Sequence, residues 1–168
     1  MFQVGEYIVC DHNGVCQVLA VTEMPELKKD VLYYQLEPVY SRGSRIFVPV
    51  DSNKLVMRRV FTEEEVETLL KEIPSIETIW ISNEKKREEQ YREVARKYDC
   101  REWVKIIKTI YLRKRNRRME GKKTTYIDEK YMKLAEENLY GEISIPLKIS
   151  PDRVERFIRN RIENKESE

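Results

Sequence analysis

The sequence predicts an α+β protein in which a small antiparallel β-barrel is followed by a bundle of about five helices. Short β-rich segments separated by turn residues fill residues 1–61. Helix caps and apolar side chains at helical spacing then recur through residues 62–168. Because 168 residues are enough for two small domains, we place a domain boundary near residue 61.

Four segments of the first part have the composition of strands. Asn13-Gly14, directly after the first segment, is a strong hairpin signal. Pro38 and Pro49 are expected at strand ends or edges, because proline lacks the N–H that a strand ladder needs. Several short strands with close turns are typical of a small SH3-like or Tudor-like barrel. The predicted strands are residues 7–10, 15–21, 31–36 and 45–50.

Five helices are predicted after the boundary, each from a start signal and an apolar stripe. The first begins with a capping box at Thr62 and Glu65, in which each side chain satisfies the other residue's backbone N–H. The second is expected to reach about Tyr98, and the fourth is expected to stop at Gly141. The start signals are Thr62, Ser82 or Asn83, a segment near Cys100, Thr125 and Ser150-Pro151.

The composition and the first residues of the chain argue against a membrane or secreted protein. No apolar run is long enough to span a bilayer. The first residues lack the basic and apolar regions of a signal peptide, so we expect a cytoplasmic location. The three cysteines, Cys10, Cys16 and Cys100, are few and odd in number, which indicates reduced thiols.

The residues that usually carry catalysis are scarce. His12 is the single histidine, and the Cys10-x-His12-x3-Cys16 cluster lacks the usual close cysteine pair and a clear fourth metal ligand. No glycine-rich phosphate loop or nucleophile constellation is present. We therefore expect no catalytic site, no metal, no cofactor and no small-molecule substrate.

The net charge of +2 hides a strong local pattern. Residues 63–79 carry one basic and six acidic side chains, whereas residues 80–123 carry sixteen basic and seven acidic ones. A basic segment of this kind favours a polyanionic partner. The alternative is an ordinary solvated helix face, which Glu84, Glu88, Glu89 and Glu93 would partly neutralise.

Candidate phosphate ligands lie along this basic segment. Long cationic side chains on helices and at helix ends suit phosphate contacts, which supply affinity but little sequence information. The predicted DNA-binding cations are Lys85, Lys86, Arg87, Arg92, Arg113, Lys114 and Arg117.

Trp80 lies between Ile79 and Ile81, just before the basic segment. One interpretation is that its ring anchors a linker in the core. The other is that the ring acts as an apolar wedge in the DNA minor groove, where contacts offset the cost of unstacking a base step. Trp103 lies on an apolar helical stripe and is predicted to be a core residue.

The order of these motifs resembles a known family, the CarD/CdnL transcription regulators. Residues 1–9, followed by Asn13-Gly14-Val15 and Val48-Pro49-Val50-Asp51, look like the RNA-polymerase-interacting domain of that family. The same domain type occurs in the much larger transcription-repair coupling factor. In the second half, residues 105–114 and 128–142 look like the family's central helix and the helix after it.

The resemblance implies a barrel that binds the RNA polymerase β subunit by strand-to-strand contact, here through Arg45, Phe47, Val48 and Pro49. It also implies a helical domain that touches double-stranded promoter DNA at the upstream edge of the −10 element. A tryptophan of the family wedges into the minor groove there and stabilises the open complex, and Trp80 holds the matching position. Lys85 falls where the family has a DNA-contacting cation.

One position and one short segment depart from the family pattern. Phe47 stands where the family often has an arginine before the Val-Pro step, and Arg45 is on the same strand face. Residues 81–84 stand where arginines often follow the tryptophan directly.

Other functions fit the same residues. An adaptor could join RNA polymerase to a second protein, and a DNA-binding repressor could act without polymerase. Aromatic side chains of the β-domain could also stack on RNA bases. We expect a monomeric, non-enzymatic regulator of transcription with no membrane contact.

Overall fold

The fold is taken from a computed structural model that describes residues 1–166, with side chains as far as Glu163. The chain divides into two compact units, Met1–Phe61 and Thr62–Glu168. The first contains a β-sheet and the second contains helices, so the protein is α+β. Among the described residues, no helix is long and apolar enough to cross a membrane.

The first unit contains one antiparallel five-stranded sheet. Its strands lie in the order β4-β3-β2-β1-β5, and within the described residues β4 and β5 each pair on one side only. The predicted closure into a barrel is therefore not confirmed, because the two edge strands leave the sheet open. The strands are β1 Tyr7–Cys10, β2 Val15–Glu23, β3 Leu32–Pro38, β4 Ile46–Pro49 and β5 Met57–Arg59.

The hairpin predicted from Asn13-Gly14 joins β1 to β2. Val9 and Val15 are the last paired residues, and the Cys10 N–H donates to the Gly14 carbonyl at 3.0 Å. A single 3-10 turn, Asp11–Asn13, fills the connection. Gly14 has φ +69°, a left-handed conformation that glycine adopts without a Cβ penalty.

One face of the sheet forms the core of the first unit. Residues two apart on β3 point to the same face, and Tyr34 and Leu36 are both buried there beside Val48. Cys10 and Cys16 are buried in the same cluster as free thiols. Burial raises the pKa of Cys16 to about 12, so its reactive thiolate is suppressed at neutral pH.

Five α-helices follow in the second unit. The capping box is confirmed: Thr62 Oγ1 accepts from the Glu65 N–H at 3.1 Å, and Glu65 Oε1 accepts from the Thr62 N–H at 3.2 Å. The second helix stops at Ala95 rather than Tyr98, because Tyr98 has φ +47° and cannot continue a right-handed helix. The helices are α1 Glu63–Glu72, α2 Arg87–Ala95, α3 Cys100–Met119, α4 Tyr126–Leu147 and α5 Pro151–Glu166.

The prediction that α4 stops at Gly141 is wrong. The helix continues to Leu147 and ends at Lys148, which has φ +56°. The turn after Gly141 is buried, with Ile143 fully inaccessible. Packing of this turn therefore outweighs the local preference of glycine for a helix end.

The helices of the second unit pack around α3 and α4. α3 packs against α2 and α4, and α4 also packs against α1 and α5. Trp103 is buried in α3, as its apolar stripe predicts, and Ile106 and Ile110 follow it at helical spacing. α4 contributes Tyr131, Ala135, Leu139 and Ile143 to the same core.

Candidate functional site

The open edge of β4 exposes backbone hydrogen-bonding groups. The Val50 N–H donates to the Leu32 carbonyl at 3.0 Å, and Val48 lies opposite Tyr34. Because hydrogen-bonded positions alternate along an antiparallel strand, the backbone groups of Phe47 and Pro49 point away from β3. The missing N–H of Pro49 therefore removes no hydrogen bond between β3 and β4. At the open edge of β4, the outward donor is the N–H of Phe47.

The side chains predicted to meet polymerase differ in exposure. Val48 is buried in the core, and Pro49 is half-buried. Phe47 is 37% exposed. Arg45 precedes β4 and is also exposed. Phe47 on β4 and Arg45 just before it are therefore accessible to a partner. Val48 packs into the core of the sheet and holds the strand in place.

Arg45 is held in place by Glu37 on the neighbouring strand. Glu37 Oε2 contacts Arg45 Nη1 at 2.5 Å, and Oε1 contacts Arg42 Nη1 at 2.7 Å. The Gly43 N–H also donates to Glu37, at 3.2 Å. The hydrogen bond from Arg42, followed by those from Gly43 and Arg45, lowers the pKa of Glu37 to about 2. The turn before β4 is therefore tied to β3 by a charge-assisted cluster.

We expect this cluster to persist into acid. A carboxyl whose pKa is lowered by folding contributes stability above its unfolded pKa of about 4.3, and that contribution is lost as pH falls through about 2. A carboxyl-carbon NMR titration should therefore place the Glu37 midpoint near pH 2. Arg42→Ala should raise that midpoint, because the largest cause of the shift is removed. A wild-type midpoint above pH 4 would show that the cluster does not form.

In the second unit, Trp80 combines an exposed ring with a fixed backbone. The residue is 63% exposed, which rules out the interpretation that its ring is buried as an anchor. The preceding Ile79 N–H donates to Thr109 Oγ1 at 2.8 Å. Gln90 Nε2 donates to the Trp80 carbonyl at 3.0 Å. α2 and α3 therefore each hold one backbone group next to the ring.

Lys108 of α3 binds backbone carbonyls of the segment that precedes Trp80. Lys108 Nζ donates to the carbonyls of Ile73 at 2.8 Å and Ile76 at 2.6 Å. Its position in the basic segment gave no sign of this role, because the carbonyls it binds are more than thirty residues away along the chain. Lys108 thus acts as a cap for the turn after α1.

Lys85 and Lys86 lie on a 3-10 turn, Glu84–Lys86, that leads into α2. Asn83 caps this turn, since its side-chain oxygen accepts from the Lys85 N–H at 3.0 Å. Both lysine side chains are exposed. They follow Trp80 by five and six residues along the chain, so this turn carries two exposed cations shortly after the exposed tryptophan in the sequence.

Arg87 and Arg113, also predicted as phosphate ligands, belong to an internal network. Arg87 makes two hydrogen bonds to Glu84, at 2.7 and 2.6 Å, and a third to the Tyr91 hydroxyl at 2.8 Å. The Tyr91 hydroxyl donates to Asp128 Oδ1 at 2.8 Å. Arg113 lies 3.4 Å from Asp128 Oδ2 and 3.5 Å from Glu84. These two arginines connect α2, α3 and α4. Their positive charges are already paired with the carboxylates of Glu84 and Asp128.

Hydrogen bonding and burial together account for the electrostatics of this network. Asp128 is fully inaccessible, and Thr125 caps its helix by accepting from the Asp128 N–H at 3.2 Å. The hydrogen bond from Arg87 lowers the pKa of Glu84. Burial is the main reason that the pKa of the Tyr91 hydroxyl is raised. The sequence alone did not indicate this role for Asp128, because its two partners, Tyr91 and Arg113, come from other helices.

The remaining predicted cations have mixed surroundings. Arg92 is exposed and lies 3.7 Å from Glu88. Lys114 is half-buried. Arg117 donates to the Lys123 carbonyl at 2.8 Å, which ties the end of α3 to the loop after it. Of the seven predicted cations, Lys85, Lys86 and Arg92 are the exposed ones.

A cleft of about 310 Å³ lies between the linker around Trp80 and the second half of α3. Its walls include apolar side chains from both segments, and its polar groups come from Thr78, from Arg87 and from α3. The residues that line it are Thr78, Ile79, Ile81, Arg87, Thr109, Leu112, Arg113, Asn116, Arg117 and Glu120.

Comparison with known families assigns the first unit. Residues 2–61 match the family model of the CarD-like/TRCF RID domain, and residues 62–168 lie outside this match. No curated protein matches the chain at a significant level. A domain of this kind suggests an interaction with RNA polymerase. The first unit is therefore a CarD-like/TRCF RID domain, and the chain is consistent with a CarD-like family protein.

Proposed function

We propose that this protein regulates transcription by docking on the β subunit of RNA polymerase through β4 and by stabilising the open promoter complex through Trp80. The exposed, backbone-anchored ring of Trp80 is the observation that carries the DNA half of this proposal. The RID domain match carries the polymerase half. The protein acts by binding alone, without a catalytic residue, metal or cofactor of its own.

The polymerase contact uses the open edge of β4. A partner strand that adds to a sheet edge gains affinity from backbone hydrogen bonds and specificity from neighbouring side chains. The outward Phe47 N–H and carbonyl supply the backbone groups. The exposed Phe47 ring supplies apolar contact area where the resembling family often has an arginine.

The DNA contact uses Trp80 and the cations of the following turn. An apolar ring that enters the minor groove partly unstacks a base step, and a segment whose backbone is already fixed loses less conformational entropy when it binds. Thr109 and Gln90 provide that fixation through the backbone on either side of the ring. Lys85 and Lys86, which are both exposed, are the proposed contacts to the neighbouring phosphates.

The polymerase contact supports the DNA contact because it holds the protein at the promoter. Docking on polymerase raises the local concentration of a weak DNA-binding surface at the promoter. A ring that binds melted or kinked DNA better than closed duplex shifts the population toward the open complex.

The function is tested by measuring the lifetime of open promoter complexes after a heparin challenge. Purified RNA polymerase should form longer-lived open complexes when this protein is present, and the effect should weaken as salt rises because phosphate contacts are lost. An unchanged lifetime at low salt, with both units folded, would refute the proposal. A lengthened lifetime without DNA contact would favour the adaptor alternative.

Phe47→Pro should abolish binding to the β subunit. The substitution removes the outward N–H of β4 without removing a hydrogen bond to β3, because that N–H points away from the sheet. Phe47→Ala keeps the N–H and loses only the ring, so its binding should fall by a smaller factor. Surface plasmon resonance with the isolated β subunit measures both, and thermal melts check that each variant folds. Equal binding by Phe47→Pro and wild type would exclude strand addition at this edge.

A further inference from the structure

The cleft beside Trp80 has the size of a site for a small ligand. Its volume of about 310 Å³ is at the lower end of the range of about 300–1,000 Å³ for ligand pockets. Ile79 and Ile81 flank Trp80 in the chain, and Leu112 on α3 adds a further apolar side chain. These side chains suit the flat apolar faces of an aromatic heterocycle.

The polar groups of the cleft suit the edge of such a heterocycle. Asn116 offers both hydrogen-bond donors and an acceptor. Arg113 Nη1 is buried and has no hydrogen-bond partner among the residues that the structure describes. A buried donor without a partner is costly, so Arg113 would gain a hydrogen bond by turning its Nη1 toward a ring nitrogen or carbonyl oxygen of a ligand in the cleft.

The charges of the cleft argue for a neutral ligand rather than a phosphate. Arg87 is already paired with Glu84, and Arg113 lies against the buried Asp128. Glu120 also lines the cleft and adds a negative charge there, and it lies 3.2 Å from Lys122. Because two of the three arginines that line the cleft are already paired with carboxylates, the cleft attracts a phosphate group less than its arginines imply but keeps its directional hydrogen bonds.

We propose that this cleft receives a single unpaired nucleobase from DNA that Trp80 has helped to unstack. The inference rests on the proposed function, since it assigns the base to the same opened promoter. Extrusion of a base from the stack carries an energetic cost, which is smallest where the base is already unpaired. Capture of that base next to the wedge would hold the duplex open by blocking its re-pairing.

The test uses the full-length protein and forked DNA that carries one unpaired 2-aminopurine at the junction. The reference is the same fork with an abasic site at that position. We expect the fork with the base to bind about tenfold more tightly, because the base removes apolar surface of its own and of the cleft from water. The fluorescence of 2-aminopurine should change on binding. Equal affinity for the two forks, with no fluorescence change, would overturn the inference.

Two variants test whether the cleft, rather than another part of the surface, binds the base. Leu112→Trp fills the cleft and should remove the preference for the fork with the base. Met119→Trp places the same ring on an exposed residue of α3 that does not line the cleft, and it should keep the preference. Loss of the preference in both variants would show that the cleft is not responsible.

A third arm distinguishes a base in DNA from a free nucleotide. Nucleoside monophosphates are titrated while NMR follows the backbone amides of Ile79, Ile81 and Asn116. We expect shifts only at millimolar concentrations, far above those needed for the fork. Binding as tight as that of the fork would assign the cleft to a soluble nucleotide and overturn the DNA source.

The outcomes also separate this inference from the proposed function. If the protein lengthens open-complex lifetime but does not distinguish the two forks, the inference fails and the proposed function stands. If it neither binds forked DNA nor changes the lifetime of open complexes, both fail.

Discussion

Trp80→Ala should shorten the lifetime of open promoter complexes formed with this protein by about tenfold, toward the value for polymerase alone. A base–aromatic contact contributes about 1–3 kcal/mol, and 1.4 kcal/mol corresponds to a factor of ten. The linker should survive the substitution, because Thr109 and Gln90 hold the backbone on either side of the ring and do not depend on the ring itself. Heparin-challenge kinetics with purified polymerase measure the effect.

Tyr126→Ala is a matched control for this prediction. Tyr126 is 79% exposed in the same unit, so its removal also deletes an exposed aromatic ring. It should leave open-complex lifetime unchanged. Both variants should bind the β subunit as wild type does, since the substitutions lie outside the first unit. A Trp80→Ala protein with wild-type kinetics would exclude the wedge.

Asp128→Ala should destabilise the second unit by about 3–5 kcal/mol, the range found when one partner of a buried ion pair is removed. The substitution takes the acceptor from the Tyr91 hydroxyl and the counter-charge from the half-buried Arg113. Asp128→Asn keeps a side-chain acceptor for Tyr91 but loses the negative charge, so it should lower the free energy of unfolding by less than Asp128→Ala does. Urea unfolding followed by tryptophan fluorescence measures the free energy of unfolding.

Lys133→Ala is the control for the stability measurement. Lys133 is on α4 and is largely exposed, with its Nζ 3.9 Å from Glu137. Its removal should change the free energy of unfolding by no more than about 0.5 kcal/mol. A comparable loss for Lys133→Ala and Asp128→Ala would mean that the buried network has no special role in stability.

The parts of the fold that local chemistry determines were predictable from the sequence. The capping box of Thr62 and Glu65 depends only on residues three apart, and the start of α3 follows from its apolar stripe. β5, Met57–Arg59, was missed because three residues are too few to show an alternating pattern. The end of α4 was predicted wrongly at Gly141, because the burial of the next turn is a property of the packed unit.

For the candidate site, the sequence indicated which residue types stand out but not which of them are paired inside the protein. Trp80 stood out as an aromatic residue in a polar, basic neighbourhood, and its exposure agrees with that prominence. Arg87 and Arg113 have the residue type of phosphate ligands, but α3 and α4 bring Arg113 to a buried carboxylate that is distant in the chain. Charge counting cannot separate cations that face solvent from those already paired inside the protein.

Pro49 also affects the solubility of the free protein. An uncovered sheet edge invites identical molecules to join side by side, which is a common start of aggregation. At the edge of β4, a second copy would find no amide hydrogen at Pro49. Near the start of β4, Arg42 and Arg45 share the single carboxylate of Glu37, which leaves a net positive charge that would repel the same cluster of the copy. The same edge thus discourages self-assembly while it stays available to a strand of different sequence.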